Sequence, residues 1–167
     1  LHTTAHLLEE MDHYGIAEAL VLDALARENH PADGNARVLQ QMLDIAKKTQ
    51  QRHRGVTDPI EVLAAFGGFE VAVMMGVMLM AASKRHVLLV DGLPACAALM
   101  LASRIAQPVT DYCVFTRSHP HKGLDKALSL FRSTALMELG LDSVDGTGAT
   151  LAWPLVSAAA ALLAEVA

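Results

Sequence analysis

A nearly uncharged run from Phe69 to Ser83, followed by the short stretch His86 to Val90 and the turn pair Asp91-Gly92, constrains this chain more than any other feature. The single charge of the run, Glu70, falls where a helix dipole favours an anion, and Lys84-Arg85 close it as basic residues close a helix. His86 to Val90 reads as a strand without a polar face, ended by Asp91-Gly92. A strand apolar on both sides belongs in a sheet covered by helices on both faces. Ligands of such sheets sit at the carboxyl ends of the strands, so Asp91 and Gly92 are the first candidate site residues. A membrane span is disfavoured: Gly67, Gly68 and Glu70 interrupt the run near its start, and the strand after it is too short to cross a bilayer.

The rest of the chain repeats the alternation of helix and strand. Thr3 or Thr4 starts a first helix that ends at Gly15, and Glu18 to Leu25 reads as a strand. Arg27 to Gly34 is a turn-rich loop, and Asn35 caps a second helix with Val38, Leu39, Met42, Leu43 and Ile45 on its face. Its basic end, KKTQQRHRG, reads as a solvated tail. Asp58 caps a third helix with Pro59 in the first helical position, ending at Gly67. Pro94 to Ile105 is a helix, Val109 to Thr116 a strand, Ser118 to Gly123 a polar loop and Leu124 to Arg132 a helix. Ala135 to Val144 fits a helix or a short strand. DGTGA, Asp145 to Ala149, is a glycine loop before a last helix from about Leu151 to Val166, with Pro154 in its first turn. This order predicts an α/β class with a parallel sheet flanked by helices, a Rossmann-like three-layer sandwich in one domain.

Composition narrows the function. Of 167 residues, 53% are hydrophobic and only 4% aromatic, which gives a core of Ala, Leu, Val and Met. The net charge of −5 argues against nucleic acid as a partner. Cys96 and Cys113 match no metal or redox spacing and read as buried thiols. The first residues show no signal peptide, which predicts a cytoplasmic protein with no membrane partner.

Two loops carry candidate chemistry. In DGTGA, Gly146, Thr147 and Gly148 precede a helix, so their backbone N–H groups and the helix end can hold an anion, with Asp145 a possible base beside them. The plainer alternative is a capping turn. In SHPHKG, His119, Lys122 and backbone can bind an anion, and Ser118 and His119 are substrate-binding candidates. His119 and His121 lack a third ligand, and His2–His6 is a lone pair at a terminus, so no metal site and no cofactor are expected. There is no P-loop, dinucleotide fingerprint or nucleophile elbow.

From Asp58 onward the chain resembles the nicotinate-nucleotide–dimethylbenzimidazole phosphoribosyltransferase family. The blocks DPIEVLAAFGGFEVAVMMG, VLLVDGLPACAALMLASRIA, DYCVFTRSH and LMELGLDSVDGTGATLAWPLVSAAAALLAEVA carry the resemblance in order. It implies a doubly wound α/β fold, a homodimer, and transfer of phosphoribose from nicotinate mononucleotide to a benzimidazole base. It places Gly67 and Gly68 at the nucleotide site, Asp91 and Gly92 at the family's Asp-Gly strand end, and Asp145 where the family usually has a glutamate base. Gly146 and Gly148 match as well. Asp145 reaches about 1.5 Å less far than glutamate, and the SHPHKGL loop departs from the family pattern. The family's Gly-Glu-Met-Gly segment does not occur here, so impaired transfer is expected.

Residues 1 to about 46 are similar instead to the opening of TIM-barrel metal-dependent amidohydrolases, without their His-x-His ligands. The expectation is a 1–57 helix-strand-helix segment of different origin joined, between Asp44 and Asp58, to a 58–167 phosphoribosyltransferase-like segment. Two other functions go with that reading: a recombined or designed fusion without catalysis that binds nucleotide or anion weakly, and a metal-dependent hydrolase.

Overall fold

The computed structural model describes residues 31–118, 122–141 and 146–166. The predicted first helix, the strand Glu18 to Leu25, and the candidates His119, His121 and Asp145 lie outside the described residues. The chain divides after Thr57 into two compact units.

In the first unit, helix α1 spans Pro31–Arg52. It starts four residues before the predicted cap Asn35, because Pro31 presets the helical φ and needs no N–H partner in the first turn. Its basic end is solvated, with Lys47, Lys48 and Arg52 exposed.

The second unit opens with α2, Pro59–Phe66, whose first amides are capped by Asp58: Oδ1 accepts from Ile60 N at 2.9 Å and Glu61 N at 3.1 Å. Helix α3, Phe69–Ser83, follows after Gly67 and Gly68. Strand β1 is Leu88–Asp91, helix α4 is Leu93–Ile105 and strand β2 is Cys113–Thr116. Helix α5 spans Lys122–Leu130 and helix α6 spans Thr147–Val166.

β2 is shorter than predicted. Gln107–Tyr112 forms a 3₁₀ helix, because Pro108 near its start favours a turn and cannot enter a ladder as a donor. β1 and β2 pair in parallel, with Leu88 beside Cys113 and Asp91 beside Thr116. The ambiguous stretch after Ala135 is extended. Leu136 N donates to Phe115 O, Arg117 N to Met137 O and Leu139 N to Arg117 O, at 2.7, 2.9 and 3.0 Å. It therefore continues the sheet on the far side of β2, with a parallel bridge between Arg117 and Glu138. α6 begins four residues before the predicted start, so Pro154 lies inside it rather than in its first turn. Its ring removes one backbone donor there.

Alternation along the strands decides what each helix covers. Val90 and Phe115 share one face and are buried with Met75 and Met78 of α3, Cys96 and Leu99 of α4, and Leu124 and Leu128 of α5. Phe131 stacks on Phe115 with ring centroids 5.4 Å apart. Asp91 and Thr116, one residue further along, turn to the other face, where α6 begins. The described unit is thus an α/β arrangement of parallel strands with helices on both sides.

Large apolar side chains remain exposed on several helices, most of all on α3 and α6. Phe69, Val73, Val77 and Met80 form a stripe on α3, and Leu151, Trp153, Leu155, Leu162 and Leu163 are exposed on α6. Among the described residues, α6 is the one helix long and apolar enough to cross a membrane by length and composition. Its first turn is bonded to the strand ends.

Candidate functional site

The carboxyl ends of β1 and β2 converge on one hydrogen-bonded cluster. β1 finishes at Asp91, and Gly92, with φ of 85°, turns the chain into α4. A side chain at that φ would be strained, which is why the strand stops at a glycine. β2 finishes at Thr116, and two residues later the backbone of Ser118 faces Asp91. Ser118 N donates to Asp91 Oδ1 at 3.0 Å, and the Ser118 hydroxyl donates to Asp91 Oδ2. The N–H of Gly148, in the first turn of α6, donates to Ser118 Oγ at 2.7 Å. Ser118 O accepts from Leu141 N at 2.7 Å, which ties the third extended segment to the same point.

Four segments meet there through one carboxylate, one hydroxyl and one backbone carbonyl. Bonds to an ionised acceptor are about twice as strong as neutral ones. The positive end of the α6 dipole also lies beside the Asp91 charge, a favourable pairing. Gly146 precedes α6 with φ of 84°, and its carbonyl accepts from Thr150 N at 3.1 Å and Thr150 Oγ1 at 3.3 Å. Gly148 is confined for another reason: a Cβ there would overlap Ser118 Oγ and lie 2.9 Å from Asp91 Oδ2.

Of the predicted residues, Asp91, Gly92, Ser118, Gly146, Thr147 and Gly148 thus come together at the strand ends. Gly67 and Gly68 sit at the α2–α3 junction. A Cβ on Gly67 would meet Leu63 Cδ1 at 2.5 Å and Leu63 O at 2.8 Å, and one on Gly68 would overlap the Glu70 carboxylate. That helix start is faced by a carboxylate of its own chain.

Two neighbours of the cluster were not singled out from sequence. Thr116 is 1% exposed, and its hydroxyl has no hydrogen-bond partner among the described residues. Arg117 pairs with Asp125 at 2.7 Å and Glu138 at 3.4 Å, fastening α5 and the third extended segment to β2. In sequence, Thr116 looks like the last residue of a strand and Arg117 like the first of a polar loop; neither carries a local signal of burial. No group of three metal-ligating side chains occurs among the described residues. Burial pushes the Cys96 thiol up to about 11, with the negative charge of Asp91 adding to it. Burial does the same for Cys113, also to about 11, followed by the influence of Cys96 and Asp111. Both thiols stay protonated at neutral pH and are poor nucleophiles.

Comparison with known proteins identifies a family and a fold. A phosphoribosyltransferase family model matches residues 29–167, starting ahead of the Asp44–Asp58 interval where sequence suggested a join. The nicotinate-nucleotide–dimethylbenzimidazole phosphoribosyltransferase of Cupriavidus taiwanensis is 47% identical over 116 residues, 70% of this chain and 34% of the relative. The enzyme of the same name from Shewanella baltica is 35% identical over 144 residues, 86% of this chain and 40% of the relative. The crystal structure of such a phosphoribosyltransferase from Thermus thermophilus superposes with a TM-score of 0.70 at 30% identity, covering 76% of this chain and 38% of that one. The chain therefore spans between a third and two fifths of the length of these relatives.

Proposed function

This chain belongs to the phosphoribosyltransferase family, and from that premise we propose that its strand-end cluster is the surviving part of a site for phosphoribosyl transfer from nicotinate mononucleotide to a benzimidazole base. The observation that carries the reading is the convergence of Asp91, Ser118 and Gly148 directly after the loop that contains Asp145. The α6 N-terminus supplies backbone donors suited to an anionic substrate.

In the proposed reaction a benzimidazole nitrogen attacks C1′ of the ribose. The bond from C1′ to the nicotinate nitrogen breaks, and nicotinate leaves with the electron pair. The attacking ring must lose its N–H proton, which the Asp145 carboxylate accepts. Gly67, Gly68 and His119 belong to the nucleotide side of this reading. Slow transfer by this segment alone is part of the proposal, because the Gly-Glu-Met-Gly segment of the family's nucleotide site does not occur in it. The chain acts in the cytoplasm as a homodimer; the exposed stripe Phe69, Val73, Val77 and Met80 supports the dimer.

The test is product formation from nicotinate mononucleotide and dimethylbenzimidazole, followed by chromatography. Slow release of nicotinate that is abolished by Asp145→Ala supports the proposal. If the folded chain turns over nothing and titration calorimetry detects no nucleotide binding at millimolar concentration, the proposal fails.

A further inference from the structure

The buried hydroxyl of Thr116 has a neighbour it does not use. Thr116 and Asp91 are register partners on adjacent parallel strands, about 4.8 Å apart in the pairing direction, with side chains on the same face. Asp91 Oδ2 accepts from Ser118, while Thr116 Oγ1 is buried without a partner among the described residues. Buried hydroxyls are rarely left unpaired, and each such group calls for a reason. Threonine can change its χ1 well without backbone movement.

We propose that Thr116 is the alternate hydrogen-bond donor to Asp91, and that the strand-end cluster has two settings. In the setting seen here, Ser118 donates to Asp91, and Ser118 Oγ in turn accepts the Gly148 N–H. Ser118 is 2% exposed, so this is the closed setting. In the other, Thr116 turns to Asp91 Oδ2 and replaces the donor it loses. The Ser118 hydroxyl and the Gly148 N–H are then released together at the start of α6, where they suit one oxyanion, a phosphate or carboxylate oxygen. Without Thr116, opening would strip a donor from a carboxylate that is only partly solvated, a costly step. The oxyanion part of this inference rests on the strand-end binding site proposed above; the exchange of donors does not.

A double-mutant cycle tests the exchange without any ligand. Thr116→Val, Ser118→Ala and the double variant are compared by urea unfolding of the full chain. Alone, Thr116→Val leaves the folding equilibrium constant unchanged or raises it, because it removes an unpaired buried hydroxyl and keeps the shape. In the Ser118→Ala background the same change lowers that constant about tenfold, because Asp91 then depends on Thr116. Additive effects would overturn the proposal. If Ser118→Ala does not fold, the single variants still decide it: Thr116→Val less stable than Thr116→Ser would mean that the hydroxyl is already bonded, which also overturns it. Calorimetry with nicotinate mononucleotide supplies the ligand arm. Binding about tenfold weaker in Thr116→Val and unchanged in Thr116→Ser supports coupling of the exchange to an oxyanion. Equal binding by all three proteins overturns that coupling. A coupled cycle with no binding by the unmodified chain overturns the binding-site reading and supports the exchange.

Discussion

Replacing Gly148 by alanine puts the strand-end cluster under direct strain. The new Cβ would occupy the position of Ser118 Oγ and lie 2.9 Å from Asp91 Oδ2. Ser118 must then swing away. The bond from Gly148 N–H is lost, ~1 kcal/mol, together with the hydroxyl-to-carboxylate bond, ~2 kcal/mol. Residual crowding adds ~1 kcal/mol or more. Against this, alanine is a better helix former than glycine by up to ~1 kcal/mol. The net expectation is a loss of up to about 3 kcal/mol, reduced by whatever Thr116 recovers as replacement donor to Asp91. At a urea m-value of ~2 kcal/mol/M that lowers the unfolding midpoint by up to about 1.5 M. The control is the same substitution in Ser118→Ala, where the obstructing oxygen is gone and the cost of Gly148→Ala should fall by more than half. A Gly148→Ala variant as stable as the unmodified chain, or an equal cost in both backgrounds, would refute the reasoning.

Further outcomes can be checked on the same unfolding apparatus. Asp58→Ala removes the cap of Ile60 N and Glu61 N and should cost about 1 kcal/mol, with Asp58→Ser recovering most of it. The Cys96 pKa is raised on folding, so its contribution is complete below the ordinary thiol range and is lost as pH rises towards about 11. Cys96→Ala should therefore lose less stability than the unmodified chain between pH 9 and 11; equal losses would mean that Cys96 does not contribute. Arg117→Met breaks the pairs to Asp125 and Glu138, but those carboxylates are 52% and 59% exposed and rehydrate. The cost should stay near 1 kcal/mol, and a loss several times larger would show that the pairs are worth more than exposed ion pairs usually are.

Much of the second unit was legible in the residues because its signals are local. Asp58-Pro59 encodes a capped helix start, and the run Phe69 to Ser83 is helical as predicted. Asp91-Gly92 ends a strand because an L side chain is strained at the φ of Gly92. The errors fall where local signals compete. Val109 to Tyr112 has strand-like residues, yet Pro108 begins a 3₁₀ turn. Ala135 to Val144 was ambiguous because extended backbone there depends on a distant partner, the edge of β2.

The candidate site divides in the same way. Residue types and turn chemistry alone marked Asp91, Ser118 and the glycines at the start of α6, since a polar group at a strand end and a glycine loop at a helix start are visible within a few residues. That Asp91 and Ser118, 27 residues apart, and Ser118 and Gly148, 30 apart, share one hydrogen-bonded cluster was decided by the parallel pairing of β1 with β2. So was the burial of Thr116 beside Asp91. Register places side chains from separate strands on a common face, and no local pattern in either strand carries that information.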